Sequence, residues 1–301
     1  MEPRSIVPLI AMPAMLIAVQ LIALFLSPQM EEAGFVAFED PSSVANPFIF
    51  IGILLVLTIV LLALIRLGKK KILTFFIAFS IFFTFLYIFS AAAGTVFGYT
   101  SGSVLAAFLL AVGSTALLYT FPEWYVIDSL GIFLAAGVTS IFGISLAVLP
   151  VIILLVLLAV YDAISVYRTK HMITLAEGVL ELKTPILVVI PKRMDYSFVK
   201  EGISMEKGER GAYVMGMGDL IMPSILVVSA QTFLDAPRVL GILSIPAAGA
   251  MIGSLAGIFF LIRALDAGNP QAGLPPLNAG AIAGFLIGCA MVGAWGWIPG
   301  I

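Results

Sequence analysis

The sequence predicts an all-α, polytopic membrane protein with nine transmembrane helices, and three observations carry that prediction. The 301 residues are 61% apolar and only 11% charged, with a mean hydropathy of +1.16, whereas soluble domains carry about 25% charged residues. Nine mostly apolar stretches approach the ~20 residues that a helix needs to cross roughly 30 Å of hydrocarbon. Lysine and arginine fall almost entirely on one side of those spans. The same composition excludes a water-soluble enzyme, a disordered chain and a coiled coil. A net charge of −2 with no basic region excludes a nucleic-acid binder.

The first span is Ile6–Leu26. Only Arg4 precedes it and no small-x-small cleavage site follows, so it reads as a retained helix rather than a signal peptide. Pro47–Ile65 is the second, followed by Arg66 and the run Lys69–Lys71, which reads as a topology anchor. The third, Ile72–Ala93, is rich in phenylalanine between Phe75 and Phe89, residues expected to face lipid or pack. Ser101–Leu118, Ile127–Ser145 and Leu149–Tyr167 follow with very short connections. The seventh and eighth are Gly211–Leu234 and Val239–Ile262, and the ninth is Pro276–Ile298, where Trp295 and Trp297 suit the aromatic belt at a membrane interface. The expected organisation is a single membrane domain: helices one to six in residues 1–167, a cytoplasmic loop over 168–210, and helices seven to nine in 211–301.

Placing Arg4 inside the cell puts Arg66, Lys69, Lys70, Lys71, Arg168, Lys170, Lys183, Lys192, Arg193, Lys200, Lys207, Arg210 and Arg263 inside with it, so that of the 15 basic residues only Arg238 lies outside. The first outer loop carries Glu31, Glu32, Glu39 and Asp40 and no base. A cytoplasmic N-terminus and an outer C-terminus follow. In the long inner loop, Ile186–Ile190 between Pro185 and Pro191, preceded by Gly178–Leu182, is expected to form a small hairpin or an irregular solvated loop. No internal repeat is visible, which counts against an inverted-repeat transporter.

His171 is the single histidine and lies in a solvated Tyr-Arg-Thr-Lys-His stretch, so no histidine-based metal or nucleophile chemistry is expected. Cys289 is the single cysteine and can form no internal disulfide.

Ionisable residues inside spans are costly and mark function by default. Two acids stand well inside spans, Asp162 and Asp219; the others sit in loops or at span edges. Six residues separate Asp162 from Arg168, roughly 9 Å of helix, and nine separate Asp219 from Arg210, roughly 13 Å. Spans six and seven run antiparallel, so both acids lie towards the cytoplasmic side and can face each other. Two carboxyl groups in one low-dielectric site cannot both ionise cheaply, so such a pair holds one shared proton. That suits peptide hydrolysis, with one partner as general base on water and the other as general acid. A proton relay in a transporter, and two unlinked acids each bonded to a neighbouring helix, stay open on this evidence.

Gly216 and Gly218 precede Asp219 and permit either close approach of a substrate backbone or simple helix packing. Tyr161 adjoins Asp162. In Gly273-Leu-Pro-Pro-Leu277 the prolines lack amide donors, so the segment either offers unpaired backbone to an extended peptide or merely starts a helix.

At these three places the sequence resembles the intramembrane aspartyl proteases of the presenilin and signal peptide peptidase family, whose motifs are Tyr-Asp in helix six, Gly-x-Gly-Asp in helix seven and Pro-Ala-Leu at the start of helix nine. This chain has Tyr161-Asp162, Gly216-Met217-Gly218-Asp219 and Pro275-Pro276-Leu277, with proline in place of the family alanine. It looks like an archaeal presenilin homologue. The resemblance implies a presenilin-like fold, Asp162 and Asp219 as catalytic aspartates, and Tyr161, Gly216, Met217, Gly218, Pro275, Pro276 and Leu277 as substrate-binding or supporting residues. It also implies cleavage of single-span membrane substrates that enter laterally from the bilayer, with no cofactor, no metal and no obligate accessory subunit.

Overall fold

The computed structural model describes residues 6–169, 187–193, 196–201, 211–265 and 271–300. His171, residues 178–186 and Arg210 lie outside them. The described chain is a helical bundle with two small hairpins. Helices α1 (Ile6–Glu32), α2 (Asn46–Arg66), α3 (Lys70–Phe97), α4 (Ser101–Thr120), α5 (Trp124–Ser145) and α6 (Val148–Ile164) come first, and α6 runs into a wider π-helical turn, Ser165–Thr169. Strand β1 (Leu187–Pro191), a single helical turn (Phe198–Glu201) and strand β2 (Ala212–Gly216) precede α7 (Met217–Phe233). A short hairpin of β3 (Arg238–Val239) and β4 (Leu243–Ser244) leads to α8 (Ile245–Leu265), and α9 (Leu274–Val292) closes the bundle.

Eight of these helices are long and apolar enough to span a membrane, and α7 is a shorter apolar helix. Three boundaries differ from the sequence expectation. The start of the seventh span is strand, not helix, because residues 212–216 pair antiparallel with β1, from Leu187 opposite Gly216 to Pro191 opposite Ala212. The described partner of the 187–191 strand is therefore β2 rather than the 178–182 stretch. The eighth helix begins at Ile245, since Pro237, Gly241 with φ +72° and Leu240 with φ +53° shape the β3–β4 hairpin ahead of it. The ninth stops at Val292 because Gly293 takes a left-handed conformation and the Ala294 N–H donates back to the Cys289 carbonyl. Trp295 and Trp297 then lie half-buried in the turn beyond, Trp297 packing edge-on to Phe285.

The core sits around α5 and α7. Helix α1 buries Met12, Leu16, Val19, Ala23, Leu26 and Met30, a stripe with steps of four and three that gives it one inward face. That stripe packs in one cluster with Ala135 and Ala136 of α5, Val228 of α7 and Leu277 of α9. By contrast α2 buries only Asn46 and Pro47 at its start. The phenylalanines of α3 divide: Phe75 and Phe79 are exposed, whereas Phe85 is buried and stacks on Phe89.

Contacts between connections sort the two ends of the bundle. At one end the Ala37 N–H donates to Ser145 Oγ at 2.7 Å and the Ala147 N–H to the Pro41 carbonyl at 2.9 Å, joining the α1–α2 and α5–α6 connections. At the other, Ser197 Oγ and the Phe198 N–H donate to Glu123, joining the α4–α5 turn to the segment before α7. This alternation is what a chain crossing back and forth requires.

Helices α8 and α9 make the tightest contact. Gly249 faces Gly284, Gly253 faces Gly280, and Gly257 lies against Pro276 and Leu277, so closely that a Cβ on any of these glycines would strike the opposing backbone. Small residues let membrane helices approach this way, and the gain is van der Waals contact rather than hydrophobic burial. Gly253→Val is expected to destabilise the protein by about 1–3 kcal/mol or more, the usual cost of overpacking. Gly52→Ala in α2, where a Cβ meets nothing within 4 Å, should be neutral or slightly stabilising. Thermal unfolding in detergent, monitored by circular dichroism, measures both.

Candidate active site

Asp162 is buried by periodicity. The buried residues of α6 run Val151, Leu154, Leu155, Leu158 and Asp162, so the acid is the last member of the helix's apolar stripe and points where that stripe points. It is 7% exposed. Just beyond it, Ser165 Oγ donates to the Asp162 carbonyl at 3.0 Å as the helix widens into its π turn, a local change that often accompanies functional sites. The preceding Tyr161 is half-buried.

Asp219 is placed by the change from strand to helix. Gly216 ends β2 in an extended conformation, φ −68° and ψ 138°, and serves as the N-cap of α7. Met217, Gly218 and Asp219 then form the first turn. The Asp219 carboxylate reaches back to the Gly216 N–H, the arrangement by which an acid at this position satisfies a helix's unpaired amides. Met217 is buried against α5, where a Cβ on Gly131 would come within 2.7 Å of its Cε. Gly218 is exposed, and a Cβ there would meet nothing within 4 Å. Its lack of a side chain therefore serves no helix packing in this structure.

The two acids meet at the start of α9. The Leu274 N–H donates to Asp162 Oδ2 at 3.1 Å. On the adjoining residue, a Cβ built on Gly273 would lie 2.6–2.7 Å from the carboxylate atoms of Asp219. One dipeptide thus touches both carboxylates, which bounds their separation at about 10 Å from backbone dimensions alone. Among the described residues neither acid has an ion-pair partner. Their polar contacts are with backbone N–H groups.

Of its two expected roles the proline segment fills the second and starts a helix. It is helical from Leu274 onward, with Gly273 as N-cap, so it provides no strand edge for a peptide. Pro275 and Pro276 fall in the first turn, where amide donors have no intrahelical acceptor and their loss is tolerated. The donors directed at Asp162 come just before them, from Leu274 and Gly273. Leu277 is fully buried in the core, Pro276 presents its carbonyl to Gly257, and Pro275 lines a groove between α6 and α9. That groove, of about 310 Å³, is also lined by Val156, Ala159, Val160, Ala163 and Asn278.

Of the residues selected from sequence, Asp162, Gly216, Gly218 and Asp219 converge on this place. Met217, Pro276 and Leu277 anchor their elements in the surrounding core. Gly273 and Leu274 belong to the site and were legible only as part of the proline segment. Asp128, the second residue of the expected fifth span and so at a span edge by sequence, is 4% exposed, inside the bundle on α5.

A family model described as signal-peptide peptidase, presenilin aspartyl protease matches residues 13–294. Two solved structures are similar over nearly the whole chain. One, a presenilin family intramembrane aspartate protease in space group C222, is 53% identical with a TM-score of 0.72, covering 94% of this chain and 99% of that one. The other, a presenilin family intramembrane aspartate protease in space group P2, is also 53% identical, with a TM-score of 0.71 and coverage of 96% and 100%. No curated protein matches the chain. The protease reading therefore stands over proton transport, and the chain belongs to the signal-peptide peptidase and presenilin family of intramembrane aspartyl proteases.

Proposed function

We propose that Asp162 and Asp219 are the catalytic pair with which this aspartic endopeptidase hydrolyses peptide bonds in single-span membrane proteins. The observation that carries the reading is the Gly273–Leu274 step lying against both carboxylates. With one proton held between them, the ionised acid removes a proton from water, whose oxygen attacks the peptide carbonyl. The protonated acid donates to the carbonyl oxygen, and the tetrahedral intermediate then expels the amine, which takes up a proton. The Leu274 N–H orients the Asp162 carboxyl for this work.

A helical peptide bond is screened by its own turn, so the substrate must be extended where it is cut. Strand β2 runs directly into the turn that carries Asp219, and among the described residues no strand pairs with its outer edge. An extended substrate laid along that edge reaches Asp219 past Gly218, the residue that leaves the approach open. The groove between α6 and α9 is lined by Ala163, the residue after Asp162, and supports lateral entry from the bilayer. Pro275 lines that route, and Tyr161 directly precedes Asp162 on α6. We read the chain as one membrane domain acting without obligate accessory subunits. Its N-terminus and active-site end are cytoplasmic, a reading supported by the positions of Lys69, Lys71, Arg193 and Lys200 at that end.

Three outcomes are expected. Asp162→Asn and Asp219→Asn should each lower cleavage of a model transmembrane peptide by at least about 10²-fold, the scale of a lost general acid or base, while circular dichroism stays unchanged. A variant that folds and cleaves normally would remove that acid from the pair. Gly218→Ala should leave the melting temperature unchanged or raised, since a helix position gains from alanine, yet lower kcat/KM roughly tenfold, or about 1.4 kcal/mol. Unchanged kcat/KM would place the substrate elsewhere. In sealed cells an impermeant thiol reagent should label Glu39→Cys and not Lys69→Cys; the reverse pattern would invert the orientation.

A further inference from the structure

The extended stretch leading to Asp219 lies along the first half of α5, and α5 holds it at three points. Glu123, just before the helix, accepts hydrogen bonds from Ser197 Oγ at 2.7 Å and from the Phe198 N–H at 3.0 Å. Further on, Asp128 Oδ1 accepts from the Val189 N–H at 2.8 Å. One turn later Gly131 leaves the space that Met217 fills. The middle point differs from its neighbours because it places an ionisable group in the core. Asp128 is 4% exposed, and its Oδ2 has no hydrogen-bond partner among the described residues. An apolar residue would be cheaper there unless Val189 required an acceptor.

Val189 does require one. In an antiparallel pair, alternate residues turn their N–H and C=O to opposite sides. Val189 is the central residue of β1 and stands opposite Val214, yet its N–H points to α5 and away from β2. Its side chain packs in the cluster of Ile127 and Leu134, on α5, while Val188 and Ile190 pack in the other cluster with Met215 and Met217. The strand is thus buried on both faces, and water is not at hand for its outer edge. Asp128 closes that edge at one position and fixes the height of β1 on α5. The ladder carries this height onward, because Leu187 lies opposite Gly216, the N-cap three residues before Asp219.

We infer that Asp128 is a positioning residue for the cleavage reaction: through Val189 and the β1–β2 ladder it sets the height at which Asp219 meets an extended substrate. The inference rests on the reading of Asp162 and Asp219 as the catalytic pair. Asp128 touches neither acid in this arrangement; it acts through the strand.

The test uses the full chain, purified in detergent, with a model transmembrane peptide whose products are mapped by mass spectrometry, and amide hydrogen exchange as a second readout. Asp128→Asn keeps an acceptor oxygen, so its rate should stay within about threefold of the parent with the same cleavage positions. Asp128→Ala removes the acceptor. Its kcat should fall at least about tenfold with KM nearly unchanged, its cleavage positions should shift, and amides of residues 187–191 and 212–216 should exchange faster while those of α8 and α9 do not. A merely structural role would lower stability without moving the cut. An alanine variant with parental cleavage positions overturns the inference whatever its strand protection, as does an asparagine variant that behaves like alanine. If alanine prevents folding, the asparagine variant decides by the same criteria. If the parent cleaves nothing, the catalytic reading has failed by itself, and the exchange comparison alone decides whether Asp128 holds the strand.

Discussion

Extended backbone buried inside a helical bundle must find its hydrogen-bonding partners within the protein, because water does not reach it. The whole arrangement follows from that requirement. A helix meets it alone, but a protease needs non-helical chain near its catalytic groups. Here β1 and β2 pair with each other, Asp128 accepts at the outer edge of β1, and Glu123 accepts from the turn at Ser197 and Phe198. Once these needs are met from α5, the most buried of the long helices, Gly216 is held where α7 can begin, and Asp219 falls in its first turn.

The other half of the site depends on backbone as well. Asp162 arrives on a regular helix, but its described donors are the Leu274 and Gly273 amides. The N-cap Gly273 leaves room for the Asp219 carboxylate that a methyl group would occupy. Both acids are thus arranged by main-chain groups and by glycine rather than by partner side chains. This fits a site built from helix ends, where amides without intrahelical acceptors gather.

Much of this was legible in the sequence. The spans were visible because hydrocarbon thickness imposes a length on every crossing helix, and Asp162 was visible because an acid inside such a span has no ordinary explanation. The motif residues Gly216, Gly218 and Asp219 stood together in order. What escaped reading was set by tertiary pairing. Residues 212–216, Ala-Tyr-Val-Met-Gly, are apolar enough to extend a span, and only the presence of β1 makes them a strand. Gly273 looked like a loop glycine because its neighbour Asp219 is more than fifty residues away in sequence. Asp128 lies so near the start of its span that position alone could not separate a buried acid from an interfacial one. Leu274 contributes a main-chain group, which no side-chain motif announces.

The backbone contacts of α8 and α9 recur at Gly249, Gly253 and Gly257, one helical turn apart, against Gly284, Gly280 and the Pro276–Leu277 step. A slip of α9 by one residue would turn it by about 100° and bring Ala281 and Phe285, or Ala279 and Ala283, to the places of Gly280 and Gly284, against a surface that admits no carbon beyond Cα. Intermediate offsets are closed for the same reason. The axial position of Leu274, and with it the alignment of the Asp162 carboxyl, is therefore not a continuously adjustable quantity: the glycine ladder is a ratchet whose teeth lie a full helical turn apart.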